Sequence, residues 1–214
     1  ISADISVAPR CQLMKLCKAL EANIDGEVVQ FELIFRNYLT GSLFQALQDG
    51  KDPYGLDLPS NLKEWHKFET PLFTPTTKGL KDEPLNSKKV RDTFPEIISS
   101  LEKLFKDFTT FAEDRGIVVV DTKFEIFFVF DGKWDLGDEV LTPESSRFIA
   151  LEDFKNSNFI SMDKQILRDF GKKENWKEQS KSLKSGEKLE VVVPKEIEDK
   201  ILSGYKTILE RLSK

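Results

Sequence analysis

The chain has 214 residues and a net charge of −5, from 37 acidic and 32 basic side chains. This length allows one large domain or two small lobes, and 39% apolar with 32% charged residues is typical of a globular protein. No apolar run approaches the roughly 20 residues of a membrane span. A net-negative chain has no general attraction for nucleic acid or anionic lipid. We therefore expect neither a nucleic-acid nor a membrane partner.

Histidine and cysteine are too scarce for several kinds of site. With His66 as the one histidine, the sequence excludes multi-histidine metal centres and makes a Ser-His-Asp triad a poor candidate. Cys11 and Cys17 cannot supply four zinc ligands, and we interpret them as reduced thiols. No signal or transit peptide is recognisable, so the expected location is cytoplasmic.

The first half of the chain contains one clear strand and two long loops. Alternating apolar and polar residues over 28–35 predict a strand buried on at least one face, and 43–47 begins a helical turn. Gly, Asp and Pro residues make 49–59 a loop. Three prolines preclude regular structure over 70–84, and a loop of that length is usually functional. Residues 12–22 favour a short helix.

The second half opens with the clearest element, a helix over 87–115. Its apolar residues recur at helical spacing, Pro95 either kinks it or begins its main segment, and Gly116 follows at a C′ position. In chain order we then expect strands at 117–120, 123–130 and 133–140, with a two-residue turn at Asp131-Gly132 between the last two. Helices are expected to begin at Thr142, Ser161 and Pro194. A lysine-rich segment at 172–188 is expected to be a flexible excursion.

The predicted hairpin brings charged side chains together. If Asp131 and Gly132 are its central turn residues, Glu125 lies directly opposite Asp138, where two carboxylates repel unless a cation lies between them. Mg²⁺ commonly takes one or two carboxylates together with phosphate oxygens, and Lys123 shares the face of Glu125. The spacing predicts a site for Mg²⁺ and nucleotide phosphates. The alternative is an exposed polar face of the hairpin.

Two further segments have features of ligand sites. In RNYLTGS at 36–42 a strand ends, a glycine permits close approach, and Ser42 precedes a helix whose free N–H groups attract phosphate; Arg36 can add a bidentate contact. In TPESSR at 142–147 two hydroxyl groups and Arg147 can hold a polar ligand. An ordinary helix cap is the alternative in both segments.

Five strings occur in the order in which one enzyme family carries them: FRNYLTGS at 35–42, FTPTTKG at 73–79, RGIVVVDTKFE at 115–125, LGDEVLTPESSR at 136–147 and SMDKQILRD at 161–169. Together they resemble the phosphoribosylaminoimidazole-succinocarboxamide synthase family, also called SAICAR synthetase. The resemblance covers about residues 28–170, and the DTKFE and DEVLTPxSSR strings are specific as a pair.

The resemblance implies an ATP-dependent ligase of de novo purine synthesis. Its expected fold is α+β, with two lobes related to those of protein kinases and ATP between them. In the family, ATP phosphorylates the carboxylate of 5-amino-1-(5-phosphoribosyl)imidazole-4-carboxylate (CAIR), and the amine of L-aspartate then attacks the acyl phosphate. The implied ligands are therefore CAIR, L-aspartate, ATP as co-substrate and Mg²⁺. Dimers are common on this fold, so a homo-oligomer is one expectation.

The resemblance also implies roles for individual residues. Lys123, Glu125 and Asp138 match the catalytic and nucleotide-binding cluster, with Glu125 and Asp138 as metal ligands. The residues implied to bind substrate are Arg36, Ser42, Lys78, Asp82, Ser146, Arg147, Lys164 and Arg168, with Glu83 as an alternative to Asp82.

One family feature is not found in this sequence. Members usually carry a G-K-x-(K/R)-x-x-Y-like hairpin over the ATP phosphates in a small N-terminal β-rich lobe. We therefore expect that lobe to be incomplete here, with 1–35 as its remnant and link and 36–214 as the larger α+β lobe for substrate and metal. Two other functions stay open: a truncated or degenerate relative that binds nucleotide without turnover, and a kinase of a small metabolite on the same fold.

Overall fold

The structure is a computed structural model that describes residues 18–19, 21–24, 27–79, 82–128, 133–184 and 187–214. Its strands are β1 (Lys18–Ala19), β2 (Glu21–Ile24), β3 (Glu27–Tyr38), β4 (Lys67–Phe73), β5 (Thr76–Thr77), β6 (Ile117–Phe128), β7 (Trp134–Gly137) and β8 (Ser146–Ala150). Its helices are α1 (Gly41–Gln48), α2 (Ser87–Thr93), α3 (Pro95–Glu113), α4 (Leu151–Lys155), α5 (Gln165–Lys173), α6 (Trp176–Lys181) and α7 (Lys195–Leu212). Over these ranges no helix is both long and apolar enough to cross a bilayer.

The strands form one antiparallel sheet around β3 and β6, which confirms the α+β class. These two long strands pair with each other, with Leu33 opposite Phe124 and Arg36 opposite Asp121. β2, β4 and β5 pair with β3, whereas β1, β7 and β8 pair with β6. The predicted boundary after residue 35 falls inside β3, and the division into two lobes stays a prediction.

A phenylalanine-rich core covers one face of the sheet. Phe35 of β3 packs against Phe73, Phe105 and Phe124 with ring centroids 5.1–6.1 Å apart. Helix α3 presents its apolar stripe, including Leu101, to this core. Burying a side chain of this size stabilises the fold by about 1.5–3 kcal/mol. The core therefore fixes the position of β3 and β6, and with them the opposite face of the sheet.

A bulge in β6 decides which of its residues lie on that opposite face. Val119 pairs with Phe148 of β8, but Asp121 pairs with Arg147, so Val120 is one extra residue on the β6 side. Successive side chains of a strand point to opposite faces. Because the bulge adds one residue, odd-numbered residues face the core before it and even-numbered residues face the core after it.

The core residues of β6 show this change of face. Before the bulge, Ile117 and Val119 lie in the phenylalanine-rich core; after it, Phe124 and Ile126 do. The charged residues that follow the bulge consequently lie away from this core: Asp121, Lys123 and Glu125.

Two predictions of where strands are interrupted or absent are wrong. The predicted strands at 117–120 and 123–130 are one strand, β6, as far as residue 128, because the bulge accommodates the polar residues between them; residues 129–130 lie outside the described residues. Residues 70–84 include β4 and β5 despite their prolines. Pro71 lies where the register between β3 and β4 shifts, next to Leu72 opposite Arg36, so the ladder does not require the N–H that proline lacks.

Two predicted helix starts are also wrong. Residues 18–19 and 21–24 are strands rather than part of a helix, while the cysteines at 11 and 17 lie outside the described residues. At Thr142 the chain makes a turn, in which the Thr142 hydroxyl accepts the N–H of Glu144 and its carbonyl accepts that of Ser145. The chain then enters β8 at Ser146. The same short-range hydrogen bonds serve a turn and a helix cap, so this motif alone could not separate them.

The lysine-rich excursion is more ordered than predicted. Helix α5 continues to Lys173, and α6 follows at Trp176–Lys181. Trp176 packs edge-on against Phe170 and lies over Gly171, where an added Cβ would come within 2.5 Å of the indole ring. One tryptophan and one glycine thus dock a helix that is otherwise polar. Other helix predictions are confirmed: α1 includes 43–47, Pro95 begins α3, and Pro194 precedes α7.

Candidate active site

A cavity of about 830 Å³ lies on the sheet face opposite the phenylalanine-rich core. Its walls include alternate residues of β3, from Glu32 through Ile34 to Arg36, and residues of β6 after the bulge. The basic side chains on its walls are Arg36, Lys123, Arg147, Lys164, Arg168, Lys172 and Lys177; the acidic ones are Glu32, Asp82, Asp121 and Glu144. The walls thus carry an excess of positive charge in a chain whose net charge is −5, so the cavity suits an anionic ligand.

Two arginines of the cavity share one buried carboxylate. Asp121 accepts from Nη1 of Arg36 at 2.9 Å and from Nε of Arg147 at 3.0 Å, and Nη2 of Arg147 also donates to it. Nε of Arg36 donates to Thr74 at 2.9 Å. Burial opposes ionisation of Asp121, but Arg147 and Arg36 outweigh it and hold the pKa of this carboxyl below its usual range. The two guanidinium groups are therefore fixed side by side.

The first turn of α1 lies next to this pair. Gly41 has φ +61°, and an added Cβ would lie 3.4 Å from Nη1 of Arg147. Thr40, the N-cap residue, makes no capping bond with its side chain, so the first N–H groups of α1 have no side-chain acceptor from it. Ser42 lines the cavity at this point. Helix N–H groups, a hydroxyl group and a guanidinium end together form an anion pocket.

A second cluster surrounds Lys123. Its Nζ lies 2.6 Å from Oε1 of Glu125, 2.9 Å from Oε1 of Glu32 and 3.5 Å from Oδ2 of Asp138. Lys78 forms an ion pair with the other oxygen of Glu125. Burial acts against the charge of Lys123, but Glu125 and Glu32 raise its pKa above the usual range. Lys123 is therefore a fixed cation rather than a base.

The predicted register of the hairpin is wrong by one residue. Glu125 pairs with Gly137, and Phe128 with Trp134, whereas a two-residue turn at 131–132 would place Glu125 opposite Asp138. The predicted turn at 131–132 lies outside the described residues. A one-residue shift would normally put Asp138 on the other face. Asp138 follows β7 in the left-handed conformation, with φ +58°, and this conformation returns its carboxylate to Lys123.

The charges around Asp138 favour its ionised form. Although partial burial raises the pKa of its carboxyl, hydrogen bonds with the Glu139 N–H and with Glu125, together with Lys123 and Lys78, lower it overall. The carboxylates of Glu125 and Asp138 therefore meet beside Lys123, as predicted, although their strands pair in a different register.

The described residues contain no group of three or more His, Cys, Asp or Glu side chains that could hold a metal ion. A metal enclosed entirely by protein ligands is thus not built into these parts of the chain. Mg²⁺ bound together with phosphates needs only one or two carboxylates. Glu125 and Asp138, adjacent to the cavity through Lys123, fit that requirement.

The structure brings the sequence-predicted residues into one region. Those that line the cavity are Arg36, Ser42, Asp82, Lys123, Ser146, Arg147, Lys164 and Arg168. Lys78, Glu125 and Asp138 join the cavity through Lys123. Ser146 is buried, with its hydroxyl 2.7 Å from that of Thr122. Burial and Arg168 lower the pKa of Lys164. The individual roles of these residues stay predictions.

Sequence reasoning missed several residues of this region. Glu32 was recognised as the polar member of an alternating strand but not as a partner of Lys123. Asp121 is the first charge after an apolar run, which is the signal that could have identified it. Asp163, by contrast, was matched to the family through the SMDKQILRD string without a definite role; it is fully buried and accepts hydrogen bonds from the backbone N–H groups of Phe148 and Gln165. It thereby anchors the start of α5, which carries the cavity residue Arg168.

The fold and cavity define an α+β protein whose positively charged cavity suits an anionic ligand. Residues 10–183 match the family model described as SAICAR synthetase, and the chain belongs to the SAICAR synthetase family.

Individual relatives agree with this assignment. The phosphoribosylaminoimidazole-succinocarboxamide synthase of Actinobacillus succinogenes is 33% identical over 195 residues, which cover 87% of this chain and 65% of that protein. The SAICAR synthase from Saccharomyces cerevisiae, solved in complex with SAICAR, is 29% identical with a TM-score of 0.62, covering 86% of this chain and 58% of that one. A SAICAR synthetase solved in complex with ADP shares the fold, with a TM-score of 0.58 at 21% identity, covering 92% of this chain and 65% of that one. This chain thus spans less than two thirds of each.

Proposed function

We propose that this chain carries the substrate-binding and catalytic part of an ATP-dependent ligase that joins CAIR to L-aspartate and releases SAICAR, ADP and phosphate. One observation supports this above all: the arginine pair beside α1 and the Lys123 cluster border the same cavity. The first suits the phosphate of a ribonucleotide, and the second suits the phosphates of ATP. The yeast relative solved with SAICAR supports the choice of substrate.

The proposed reaction has two steps. A carboxylate is a poor electrophile, so one oxygen of the CAIR carboxylate first takes the γ-phosphoryl group and ADP leaves. The aspartate amine then attacks the acyl carbon, and the bond from that carbon to the phosphorylated oxygen breaks, releasing phosphate. Both steps need positioned anions and neutralised charge more than they need histidine chemistry. Lys123 and Lys78 are cations suited to that task.

We propose Glu125 and Asp138 as the residues that hold Mg²⁺ with the ATP phosphates. When bound, the ion supplies charge neutralisation at the transferred phosphoryl group. Glu32 is a third carboxylate within reach of Lys123 and keeps this lysine oriented. The site thus alternates lysine and carboxylate charges, an arrangement that suits a Mg²⁺–triphosphate complex better than free phosphate.

We further propose a cytoplasmic location, partners limited to small molecules, and Asp82 with Lys78 as part of a loop that closes over substrate. Asp82 lies on the cavity wall, and residue 78 is tied to β3 through its backbone N–H and the carbonyl of Gln30. Glu83 is hydrogen-bonded to Thr77 of β5 through both its N–H and its carbonyl.

One assay separates the proposed function from its two alternatives. The protein is incubated with Mg-ATP, CAIR and L-aspartate, and ADP and SAICAR are measured. ADP release that requires aspartate, with SAICAR formed, supports the ligase. Phosphorylation of a metabolite without aspartate would indicate the kinase, and no turnover with retained nucleotide binding would indicate the noncatalytic relative.

A pair of lysine variants then connects turnover to the site. Lys123→Met should reduce turnover by about 100-fold or more, because the developing charge loses a fixed cation. The matched control is Lys103→Met, which removes an exposed lysine of α3 that pairs with Asp107 and should leave turnover unchanged. Equal activity of both variants would remove Lys123 from the mechanism.

A further inference from the structure

We propose that Asp121 is a positioning residue that aims the guanidinium groups of Arg36 and Arg147 at a single phosphate group beside the first turn of α1. The inference rests on the proposed function, because the phosphate is that of the ribonucleotide substrate. Asp121 itself would make no contact with the ligand; it would act through the two arginines.

The hydrogen bonds leave one end of each guanidinium group available. Arg36 uses Nε for Thr74 and Nη1 for Asp121, and Arg147 uses Nε and Nη2 for Asp121. Among the described residues, neither Nη2 of Arg36 nor Nη1 of Arg147 takes part in a hydrogen bond. Nη1 of Arg147 lies next to Gly41 at the start of α1. Both arginines line the cavity, so their available donors converge on the anion pocket.

Electrostatics explains why a carboxylate is needed behind the pair. Two guanidinium groups close together repel each other, and both are largely removed from water, with side-chain exposures of 8% for Arg36 and 20% for Arg147. A shared counterion offsets that repulsion. Asp121 also reduces the positive charge that a ligand meets. Its benefit for binding must therefore come from orientation, since preorganised donors bind without first being ordered.

Thr74 and Gly41 are the other residues next to the two guanidinium groups. Thr74 is fully buried and holds the Nε edge of Arg36, so this guanidinium group is fixed on two sides. Gly41 leaves room for Nη1 of Arg147, because an added Cβ would lie 3.4 Å from it. Arg36 is thus fixed by Asp121 and Thr74, and Arg147 by Asp121 through two of its nitrogens.

The test separates orientation from charge. Asp121→Glu retains the charge but moves the carboxylate by one methylene group, whereas Asp121→Asn removes the charge. Isothermal titration compares the dissociation constants of CAIR and of its 5′-dephosphorylated riboside for each protein. We expect the preference for the phosphorylated form to fall about tenfold or more in Asp121→Glu, with Mg-ATP affinity changed less than about twofold. Glu152→Asp is the matched control, because it makes the converse methylene change at the Arg211 pair.

An unchanged preference in a folded Asp121→Glu protein would overturn the inference and leave Asp121 a purely structural residue. If the wild-type protein bound neither CAIR nor ATP, the proposed function would fail instead. Inorganic phosphate then becomes the probe, and equal phosphate affinities of wild type and Asp121→Glu, or no phosphate binding by either, would overturn the inference separately.

A measurement on the wild-type chain covers the case in which both variants fail to fold. NMR of arginine side chains reports exchange of each Nε–H with solvent. We expect slow exchange for Arg36 and Arg147 before any ligand is added, and shifts of both on adding phosphate but not of Arg211. Rapid exchange at both positions in the ligand-free protein would contradict preorganisation.

Discussion

Lys123 shows how much of this site is determined by single side chains. Three carboxylates surround its ammonium group, and the raised pKa of Lys123 keeps it charged at neutral pH. A group held in this way contributes a permanent positive charge and no proton transfer. In the proposed reaction, the proton released by the aspartate amine must therefore go to another acceptor.

Glu125 and Asp138, the proposed Mg²⁺ ligands, should differ in their effects on stability. Asp138 is half exposed, with 46% side-chain exposure, whereas Glu125 is 5% exposed between two lysines. We expect Asp138→Asn to fold normally and Glu125→Gln to lose about 1–3 kcal/mol of unfolding free energy. Turnover should fall steeply in both, since the transferred phosphoryl group loses its metal ion.

ADP release against Mg²⁺ concentration, with thermal melts alongside, measures both effects for the Glu125 and Asp138 variants. Wild-type turnover with a wild-type Mg²⁺ dependence in either variant would remove that residue from the metal site.

The Glu152–Arg211 pair gives a pH-dependent contribution to stability outside the cavity. Hydrogen bonds from Arg211 lower the pKa of Glu152 to about 2, against roughly 4.3 in the unfolded chain. The contribution is therefore complete above about pH 5 and is lost as the pH falls towards 2. Glu152 is 59% exposed, so solvent screening limits its size to about 0.5–1 kcal/mol.

We expect Glu152→Gln to be less stable than wild type by that amount at neutral pH, with the difference shrinking below about pH 5. Urea unfolding at several pH values measures it. A difference that stayed constant down to pH 3 would assign the stabilisation to packing instead of charge.

At the scale of elements, close approach of α7 to the loop before α5 depends on one glycine. Gly204 is buried in the middle of α7, and an added Cβ would lie 2.5 Å from the backbone carbonyl oxygen of Met162. Helix propensity favours alanine over glycine by roughly 1 kcal/mol, but a backbone atom cannot move aside as a side-chain end can. Met162 directly precedes Asp163, so a shift here would reach the start of α5.

Gly204→Ala should therefore destabilise the protein by about 1–3 kcal/mol in spite of its better helix propensity. Ser203→Ala, at the exposed neighbouring position, is the control and should be neutral or slightly stabilising. Chemical denaturation of the two variants provides the comparison. A gain in stability for Gly204→Ala would show that α7 can move away from Met162 at no cost.

At the scale of the whole molecule, the charge of the cavity opposes that of the chain. A negatively charged protein with a positively charged cavity attracts anions locally, and salt screens this attraction over a distance of about 10 Å at 0.1 M. We expect KM for the phosphorylated substrate to rise several-fold between about 0.05 and about 0.5 M NaCl. Thermal melts over the same range control for stability. A KM independent of salt would show that the contacts at the pocket, and not its field, determine binding.

The sequence predicted the strand at 28–35, the long helix with Pro95 at its start, and the residues that gather around the cavity. These predictions rest on periodicity and on local motifs, which depend on neighbours in the chain. The register of the hairpin, the docking of α6 and the pairing of Glu32 with Lys123 depend on contacts between distant segments, which periodicity does not contain. Asp138 is instructive: its predicted neighbour was right although the register was wrong, because a left-handed residue compensated for the shift.

The bulge at Val120 allows β6 to lose one residue without exchanging its faces. If Val120 were deleted, the Val119–Phe148 and Asp121–Arg147 pairs would become neighbours in an uninterrupted ladder. Ile117 and Val119 would stay in the phenylalanine-rich core, and Asp121, Lys123 and Glu125 would stay on the cavity face, because side chains along the shortened strand would alternate without a break. Val120 is itself buried against Val118 and Ile149, so the deletion should cost about 1.5–3 kcal/mol of stability and still fold, whereas Val120→Ala should cost less and retain the geometry of the cavity. Thermal melts of the two variants measure this, and a deletion variant that cannot fold would show that the bulge itself is required.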